Sequence, residues 1–243
     1  MRAEFGDDLS GHSESAADAA ARASGFRFYS SGSGAIDRLL AGGFRAGRLI
    51  QVYGRSGSGK TQLAIQAALL AAKEGGRALF VDCEGSFRPE RMEEIAEARG
   101  WQGKGLLERV VYARVDTSAE QVEMVRAMAS RPATAACSFV VVDSFTRNFS
   151  LELPGRSNLP SRQGSLDVHL SEMARDAYLH ARAYLLTNRV TFGQNQDVGI
   201  GGRTVEQLVH ESLRLEKEAG EVKVTLLSTG ESTRVSQGRP GLV

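Results

Sequence analysis

The sequence has little cysteine and no long apolar segment. Its 243 residues include only two cysteines, Cys83 and Cys137, which is too few for a disulfide framework or a cysteine-based zinc site. No apolar run approaches the roughly 18 residues that a membrane-spanning helix needs. The stretch Met1–Ser15 carries several acidic residues and lacks the apolar core of a secretory signal. These absences predict a cytoplasmic, intracellular protein rather than a secreted or membrane protein.

An excess of charge of one sign is also lacking. The 30 Lys and Arg residues nearly balance the 29 Asp and Glu residues, which leaves a formal net charge of +1. A uniformly basic nucleic-acid-binding protein is therefore excluded, and any DNA site must be a local patch of positive charge. Hydrophobic residues at 42% and charged residues at 24% are ordinary for a globular domain.

The composition predicts one globular domain between two polar tails. Met1–Gly25 is rich in Ser, Ala and acidic residues, so we expect a flexible N-terminal tail with a short helix over Ala16–Ala23. Ser228–Val243 is rich in Ser, Gly and Arg, and we expect a flexible C-terminal tail there. The core is predicted to span Phe26–Leu227, which is long enough to bury one large hydrophobic interior.

Within this core, apolar strand-like runs alternate with helix-like runs. Such alternation predicts an α/β fold with a mainly parallel central sheet flanked by helices. Ser118 and Gln121 have the spacing of a capping box at a helix start. An antiparallel C-terminal hairpin is predicted around Ala219-Gly220. The predicted strands are Arg48–Tyr53, Ala78–Cys83, Val110–Val115, Ser138–Asp143, Ala183–Asn188, Ser212–Glu216 and Val222–Leu227, and the predicted helices are Thr61–Lys73, Pro89–Arg99, Ser118–Ser130 and Ser165–His180.

One segment matches a phosphate-binding loop, with a predicted strand before it and a predicted helix after it. Glycines let backbone N–H groups approach phosphate oxygens, and the N-terminus of the following helix adds positive potential. Lys60 is expected to reach the β- and γ-phosphates of ATP, and the Thr61 hydroxyl is expected to bind Mg²⁺. The segment therefore predicts an ATPase. The pattern G-x-x-x-x-G-K-[ST] is met by Gly54-Arg55-Ser56-Gly57-Ser58-Gly59-Lys60-Thr61.

Two carboxylates stand at the ends of predicted strands. Asp143 follows the apolar run Phe139–Val142, and Glu84 ends the strand after the helix of the phosphate-binding loop. Because ligands of open α/β sheets bind at the carboxyl ends of strands, Asp143 is predicted to bind Mg²⁺ directly or through water. Glu84 either aligns water on the γ-phosphate or is a solvated turn residue, and spacing alone leaves both interpretations open.

The motifs and their order resemble those of the RecA/RadA recombinase superfamily. The similarity extends from about Phe26 to Leu227 and implies a RecA-type P-loop ATPase core. Gly32–Gly43 and the phosphate-binding loop contribute to it, but a run near Glu84 is far more specific. That run is Val81-Asp82-Cys83-Glu84-Gly85-Ser86-Phe87-Arg88-Pro89-Glu90-Arg91.

The resemblance implies roles for residues around the ATP. Glu84 matches the family's water-activating glutamate, and Arg91 matches the arginine that stacks on adenine. Asn188-Arg189 stands where the family has Asn-Gln, at the end of the strand that senses the γ-phosphate. Arg189 is therefore expected to contact either the γ-phosphate or a DNA phosphate, and a merely solvent-facing arginine is the alternative.

The resemblance also implies two DNA-binding loops, Phe145–Pro160 and Val190–Gly201. Arginines on mobile loops suit contacts with phosphates, and aromatic rings stack on the bases of single strands. Phe149 is a second candidate for such stacking. The expected DNA-binding residues are Arg147, Arg156, Arg162, Phe192 and Arg203.

Departures from the family pattern point to RadB, the shorter archaeal paralogue of RadA. Met1–Gly25 is too short for RadA's N-terminal helical domain, and Phe26-Arg27-Phe28-Tyr29 has Tyr where the family's polymerisation motif has Ala. A RadB-like protein would be a monomer or small oligomer near the chromosome that binds DNA, with single strands favoured. It would hydrolyse ATP weakly and assist a RadA-type recombinase. Two alternatives stay open: a KaiC-like switch ATPase or kinase acting on protein, and a full strand-exchange recombinase.

Overall fold

The computed structural model of the protein describes residues 14–101, 104–192 and 197–243, apart from the side chains of residues 104 and 192. No helix in these ranges is both long and apolar enough to cross a membrane. The helices are α1 (Ala16–Ser24), α2 (Gly34–Leu39), α3 (Lys60–Lys73), α4 (Pro89–Ala98), α5 (Lys104–Leu107), α6 (Ser118–Ala127), α7 (Pro132–Ala135), α8 (Arg147–Glu152), α9 (Leu159–Leu179) and α10 (Gly202–Leu208). The strands are β1 (Phe28–Tyr29), β2 (Phe44–Arg45), β3 (Arg48–Gly54), β4 (Ala78–Asp82), β5 (Val110–Arg114), β6 (Phe139–Asp143), β7 (Ala183–Asn188), β8 (Val190–Phe192), β9 (Asp197–Gly199), β10 (Glu211–Glu218), β11 (Glu221–Leu226), β12 (Ser232–Gly238) and β13 (Gly241–Leu242).

A 9-stranded sheet runs through the molecule in the order β13-β12-β11-β10-β3-β7-β6-β4-β5. The strands from β10 to β5 are parallel, whereas β11, β12 and β13 continue from β10 as antiparallel neighbours. Two small antiparallel pairs, β1–β2 and β8–β9, lie apart from this sheet. The α/β class, the mainly parallel sheet and the antiparallel C-terminal hairpin are confirmed.

Helices cover both faces of the sheet, and this is why β4, β6 and β7 are buried at every position. Leu63 and Leu69 of α3 are fully buried in the core on one face. Leu166 and Leu170 of α9 are fully buried in the core on the other face. Burying one such leucine contributes roughly 1.5–3 kcal/mol, so the two helices fix the central strands firmly.

The register of the sheet brings several polar residues to one edge. Asp82 at the end of β4 pairs with Asp143 at the end of β6. Tyr53 of β3 pairs with Asn188 at the end of β7. Because these strands are parallel, their carboxyl ends and the loops that follow them lie side by side.

The cap of one helix and the start of another differ from the sequence-based prediction. The cap of α6 is Thr117, whose hydroxyl accepts the Glu120 N–H at 3.1 Å while the Glu120 carboxylate accepts the Thr117 N–H at 3.2 Å. The predicted cap at Ser118 was therefore one residue too late. Helix α9 begins at Leu159 rather than Ser165, because Pro160 is well suited to its first turn.

The short helix predicted within the N-terminal segment is present. It is α1 and is one residue longer than predicted. Ser15 caps it by accepting the Asp18 N–H at 3.1 Å. The rest of the predicted N-terminal tail, residues 1–13, lies outside the described residues.

The C-terminal segment departs most from its prediction as a flexible tail. Strands β12 and β13 extend the sheet beyond the predicted hairpin. Leu242 is fully buried, and the Gln66 side chain accepts its N–H at 2.7 Å and donates to its carbonyl at 3.1 Å. Composition misled here because only Val235 of β12 is buried, so a polar strand resembles a loop.

Candidate functional site

A cavity of ≈ 430 Å³ lies beside the loop Gly54–Thr61, at the carboxyl ends of the parallel strands. Gly57 and Gly59 have φ angles of 78° and 96°, a conformation that glycine adopts without strain. A Cβ atom at Gly57 would meet nothing within 4 Å, so space is open in front of the loop. The N-terminus of α3, whose first N–H groups attract anions, begins at the same place. This arrangement fits the predicted phosphate-binding loop.

Lys60 supplies a cation to this cavity. Its Nζ atom donates to the carbonyl oxygens of Gly54 and Arg55, at 2.8 and 2.9 Å. The side chain therefore folds back over its own loop. Burial lowers the pKa of Lys60, and the carboxylates of Asp143 and Glu84 oppose that shift. The ammonium group is held where an anionic ligand in the cavity would meet it.

Thr61 and Asp143 meet in the same cavity. The Thr61 hydroxyl donates to Asp143 Oδ2 at 2.8 Å, and the Thr187 hydroxyl donates to Oδ1. Burial raises the pKa of Asp143, and these hydrogen bonds work against the rise. A hydroxyl and a carboxylate are the hard oxygen ligands that Mg²⁺ takes alongside phosphate and water. Within the described ranges, no group of three or more His, Cys, Asp or Glu residues offers another metal site.

Glu84 is presented to the cavity by a turn that Asp82 organises. The buried Asp82 carboxylate accepts the N–H groups of Glu84, Gly85 and Ser86 at 3.0, 2.8 and 3.2 Å through one oxygen. Its other oxygen accepts the Phe87 N–H at 3.2 Å. Sequence reasoning missed Asp82 as a site residue. An Asp at a strand end just before Glu-Gly-Ser was the available signal, because Asp commonly accepts N–H groups of the following turn.

Glu84 itself forms a two-pronged ion pair with Arg189. Arg189 Nε donates to Oε1 at 2.8 Å and Nη2 donates to Oε2 at 2.7 Å. Burial would raise the pKa of Glu84, but the hydrogen bonds and charge of Arg189 outweigh burial and hold this pKa below its usual value. The predicted water-activating residue and the predicted sensor residue are thus in direct contact.

Arg147 approaches the same turn from the segment after β6. Its Nη1 atom donates to the Cys83 carbonyl oxygen at 3.0 Å. Its positive charge is a further, smaller cause of the lowered pKa of Glu84. A predicted DNA-binding residue therefore touches the strand end that carries Glu84.

Asn188 lies outside the cavity, although it was predicted with Arg189. Its side chain is fully buried and accepts a hydrogen bond from the Thr146 hydroxyl at 2.7 Å. Its amide donates to Gln51 Oε1 at 2.7 Å and to the Ile200 carbonyl at 2.8 Å. Asn188 thus connects β3 to the start of the first predicted DNA-binding loop and to the end of the second. It does not line the cavity.

Arg91 lies next to the cavity but does not line it. Its guanidinium donates to Gln62 Oε1 at 2.9 Å, to Glu94 Oε2 at 2.7 Å and to the Gly238 carbonyl at 2.7 Å. Gln62 and Gln237, on either side of it, do line the cavity. The Arg91 guanidinium therefore forms hydrogen bonds with residues of α3, α4 and β12. It is not a contact-free surface on which an adenine ring could stack.

The first predicted DNA-binding loop, Phe145–Pro160, contains helix α8 and the first two residues of α9. Phe149 is buried, with its ring 5.5 Å from that of His169, so it is not available for stacking on a base. Arg162 donates to the Leu153 carbonyl at 3.1 Å and stabilises the turn after α8. Arg156 is exposed and has no ion-pair partner among the residues that the structure describes.

The second predicted loop, Val190–Gly201, contains the pair β8–β9 around residues 193–196, which lie outside the described residues. The Phe192 side chain also lies outside the description, so its predicted role stays a prediction. Arg203, near the start of α10, is exposed and has no ion-pair partner in the described part of the chain. Asp197 of β9 forms an ion pair with Arg55, and its Oδ1 accepts from Arg55 Nη2 at 3.2 Å. This pair joins the second loop to the phosphate-binding loop.

Comparison with known proteins adds to this geometry. A family model described as Rad51 matches residues 25–233. The chain is 33% identical over 205 residues to the DNA repair and recombination protein RadA of Metallosphaera sedula. That alignment covers 79% of this chain and 63% of the relative, so the chain spans less than two thirds of the relative's length. The range matched by the family model includes both predicted loops and every residue that lines the cavity except Gln237.

Proposed function

The chain belongs to the Rad51 family, and from this premise we propose that it is a P-loop ATPase that acts on DNA in homologous recombination and repair. One observation carries the ATPase part. Lys60, Thr61, Glu84 and Asp143 come from three separate segments of the sequence and meet in one cavity at the ends of the parallel strands. Each has the chemistry that phosphoryl transfer requires.

In this proposal each residue has a distinct task. Lys60 binds the β- and γ-phosphates as a charged donor, together with the N–H groups of the loop Gly54–Thr61. Thr61 and Asp143 hold Mg²⁺, which, when bound, neutralises phosphate charge. Glu84 orients the attacking water and accepts its proton. Asp82 fixes the turn, so Glu84 needs little reorganisation of its backbone.

We assign adenine binding to Arg91. Its contacts with Gln62 and Gly238 place it at the border of the cavity. A planar guanidinium stacks well on an aromatic base, but stacking here requires Arg91 to exchange at least one of these contacts. Arg91→Ala is expected to weaken binding of ATP while leaving binding of inorganic triphosphate unchanged. Equal losses for both ligands would contradict the assignment.

DNA is the second proposed ligand, with single strands favoured. Arg156 and Arg203 support this, because both are exposed and neither is committed to a carboxylate within the described residues. Arg147 and Arg162 have local contacts, so their proposed phosphate contacts would add to a structural role. Phe192 remains the candidate for stacking on a base. The buried Asn188 gives the two loops a common anchor, which supports a coordinated response of both loops to ATP.

A RadB-like accessory role, rather than long filaments, is supported by the segment Phe26–Tyr29. Tyr29 is buried in its own chain, with its ring 5.4 Å from that of Phe139. The Phe26 ring packs edge-on against Tyr178 at 5.9 Å. The two aromatic residues are therefore not free to dock on a neighbour. We propose weak ATPase activity, a monomer or small oligomer at the chromosome inside the cell, and a RadA-type recombinase as the protein partner.

Fluorescence anisotropy of a labelled single-stranded oligonucleotide tests the DNA function. The titration is made with and without Mg-ATP at several salt concentrations. We expect binding that responds to ATP and weakens with salt, with a log–log slope of roughly −0.7 for each phosphate contacted. Binding of ATP without any oligonucleotide binding at low salt would overturn the DNA function and favour a KaiC-like switch acting on protein. Long filaments on DNA in electron micrographs would instead favour a strand-exchange recombinase.

A further inference from the structure

The ion pair between Glu84 and Arg189 occupies both oxygens of the carboxylate. The two hydrogen bonds, at 2.8 and 2.7 Å, use Nε and Nη2 of the same guanidinium. Arg189 lines the cavity together with Lys60 and Thr61, and its side chain is 58% exposed. Glu84 is the more enclosed partner, with an exposed fraction of 18%. Arg189 therefore lies on the solvent side of Glu84.

This ion pair opposes the role proposed for Glu84, which is to orient the attacking water and accept its proton. A carboxylate has about four acceptor sites, and the two charge-assisted hydrogen bonds from Arg189 use one on each oxygen, which leaves fewer sites to orient a water molecule. The same contact holds the pKa of Glu84 low, so the carboxylate is a weaker proton acceptor. In the arrangement described, Arg189 weakens Glu84 as a catalytic base.

The backbone of Arg189 is fixed, but its side chain can change partners. Asn188, the preceding residue, is fully buried, and the Arg189 carbonyl accepts the Ile200 N–H at 3.0 Å. The guanidinium has only Glu84 as an ion-pair partner within the described residues. A guanidinium binds phosphate with the same forked geometry that it uses for carboxylate. A phosphate near the cavity can therefore compete with Glu84 for Arg189.

We propose that Arg189 is a positioning residue that holds Glu84 inactive until a phosphate group takes over the guanidinium. This inference rests on the proposed ATPase function. The phosphate has two available sources, the γ-phosphate of bound nucleotide and the backbone of a bound polynucleotide. Transfer of Arg189 to either one frees Glu84 to accept a proton from water.

Competition is tested by binding, without measuring hydrolysis. Wild type, Glu84→Gln, Arg189→Gln and the double variant are compared in titrations with a single-stranded oligonucleotide and with a non-hydrolysable ATP analogue. Glu84→Gln should release Arg189 and tighten one of these ligands several-fold. The double variant should lose that gain, because the gain depends on Arg189. Glu206→Gln, which removes one negative charge from exposed α10, controls for long-range attraction.

The ligand that responds identifies the source of the phosphate. If the polynucleotide is the source, oligonucleotide affinity rises in Glu84→Gln and the salt slope steepens by roughly 0.7, the value for one added phosphate contact on a single strand. If the nucleotide is the source, affinity rises for the ATP analogue and not for ADP. Unchanged affinity for both ligands in Glu84→Gln would overturn the inference, while normal binding by wild type would leave the proposed function standing.

Hydrolysis supplies an independent measurement that a merely structural role would not alter. Arg189→Gln removes the charge that lowers the pKa of Glu84, so that pKa rises. The acid limb of the pH profile of kcat/KM, measured without polynucleotide, should therefore move to higher pH, because this profile reports the free protein, in which Glu84 is paired with Arg189. If the polynucleotide is the source of the phosphate, kcat without polynucleotide should also rise several-fold above wild type near neutral pH. An acid limb of kcat/KM that coincides with that of wild type would contradict the inference.

Discussion

The cavity and the two loops beside it are held by different kinds of interaction. Asp143 lines the cavity and Asp82 organises the turn beside it, and both are buried carboxylates with every oxygen engaged by hydroxyl or backbone donors. Arg156 in the first loop and Arg203 just after the second are exposed cations without an ion-pair partner in the described part of the chain. The cavity is therefore preorganised for a ligand of fixed shape, whereas the loop arginines can adapt to an irregular polyanion.

Three arginines cross the boundary between these two regions. Arg55 reaches Asp197 of the second loop, Arg189 reaches Glu84, and Arg147 reaches the carbonyl of Cys83. The contacts of Arg55 and Arg147 join the side of the cavity to a loop, whereas Arg189 and Glu84 both line the cavity and Arg189 directly precedes the second loop. A ligand that displaces any of them changes both regions at once. The difference between the regions thus suggests that the proposed binding of ATP and of DNA would be coupled through arginine contacts.

The largest effect is expected at Glu84. Glu84→Gln keeps the shape of the side chain but removes the proton acceptor, so the hydrolysis rate should fall roughly 10²- to 10⁴-fold. Nucleotide affinity should not fall, since Lys60, Thr61 and Asp143 are unchanged. Steady-state phosphate release and equilibrium nucleotide binding measure the two quantities. Turnover equal to that of wild type would refute the role of Glu84 and show that the cavity binds without it.

Lys60 should dominate affinity in the same cavity. Lys60→Ala removes a charged donor to phosphate, and such hydrogen bonds contribute about 1.5–3 kcal/mol. We therefore expect nucleotide affinity to fall roughly 10- to 100-fold in isothermal titration, with oligonucleotide binding losing its response to ATP. Lys73→Ala, at the exposed opposite end of α3, is the matched control. A similar loss in both variants would mean that helix stability, not phosphate contact, is responsible.

Much of the cavity could be predicted because its signals are local. The phosphate-binding loop, its flanking strand β3 and helix α3 form one continuous segment, and Asp143 directly ends an apolar strand. The α/β fold followed from the alternation of strands and helices. Spacing alone left Glu84 open, because its position depends on the turn that Asp82 organises.

The rest depends on contacts between residues distant in sequence. Arg189 and Glu84 are 105 positions apart, and Asn188 and Gln51 are 137 positions apart. No local pattern indicates that Arg189 meets a carboxylate or that Asn188 is buried away from the cavity. The strand β12 was missed for a related reason, since its place in the sheet is set by pairing with β11 rather than by its own polar composition.

A moderate effect is expected at Asp82. Asp82→Asn replaces one acceptor oxygen by an NH₂ group, so at least one of the N–H groups now facing the carboxylate loses its partner. We expect the free energy of unfolding to fall by about 1–3 kcal/mol, as for a buried donor left unsatisfied. The hydrolysis rate should fall while nucleotide affinity changes little. Asp167→Asn, at an exposed carboxylate of α9, should change neither the free energy of unfolding nor the hydrolysis rate. Loss of affinity equal to the loss of rate would instead mean that Asp82 supports the whole cavity.

The smallest effects on oligonucleotide binding are expected at Arg156 and Arg203, the exposed arginines in and beside the two predicted loops. Arg156→Ala and Arg203→Ala should each weaken oligonucleotide binding only a few-fold, because each removes one contact of several on an exposed surface. Each substitution should also reduce the magnitude of the salt slope by roughly 0.7 if the lost contact was with a phosphate of a single strand. Arg77→Ala removes the same charge at the opposite end of β4, far from the cavity, and controls for net charge. Oligonucleotide affinities of the three variants, measured across a salt series, test this prediction. If all three variants lose affinity equally, oligonucleotide binding depends on overall charge, and the two loops are not the DNA-binding surface.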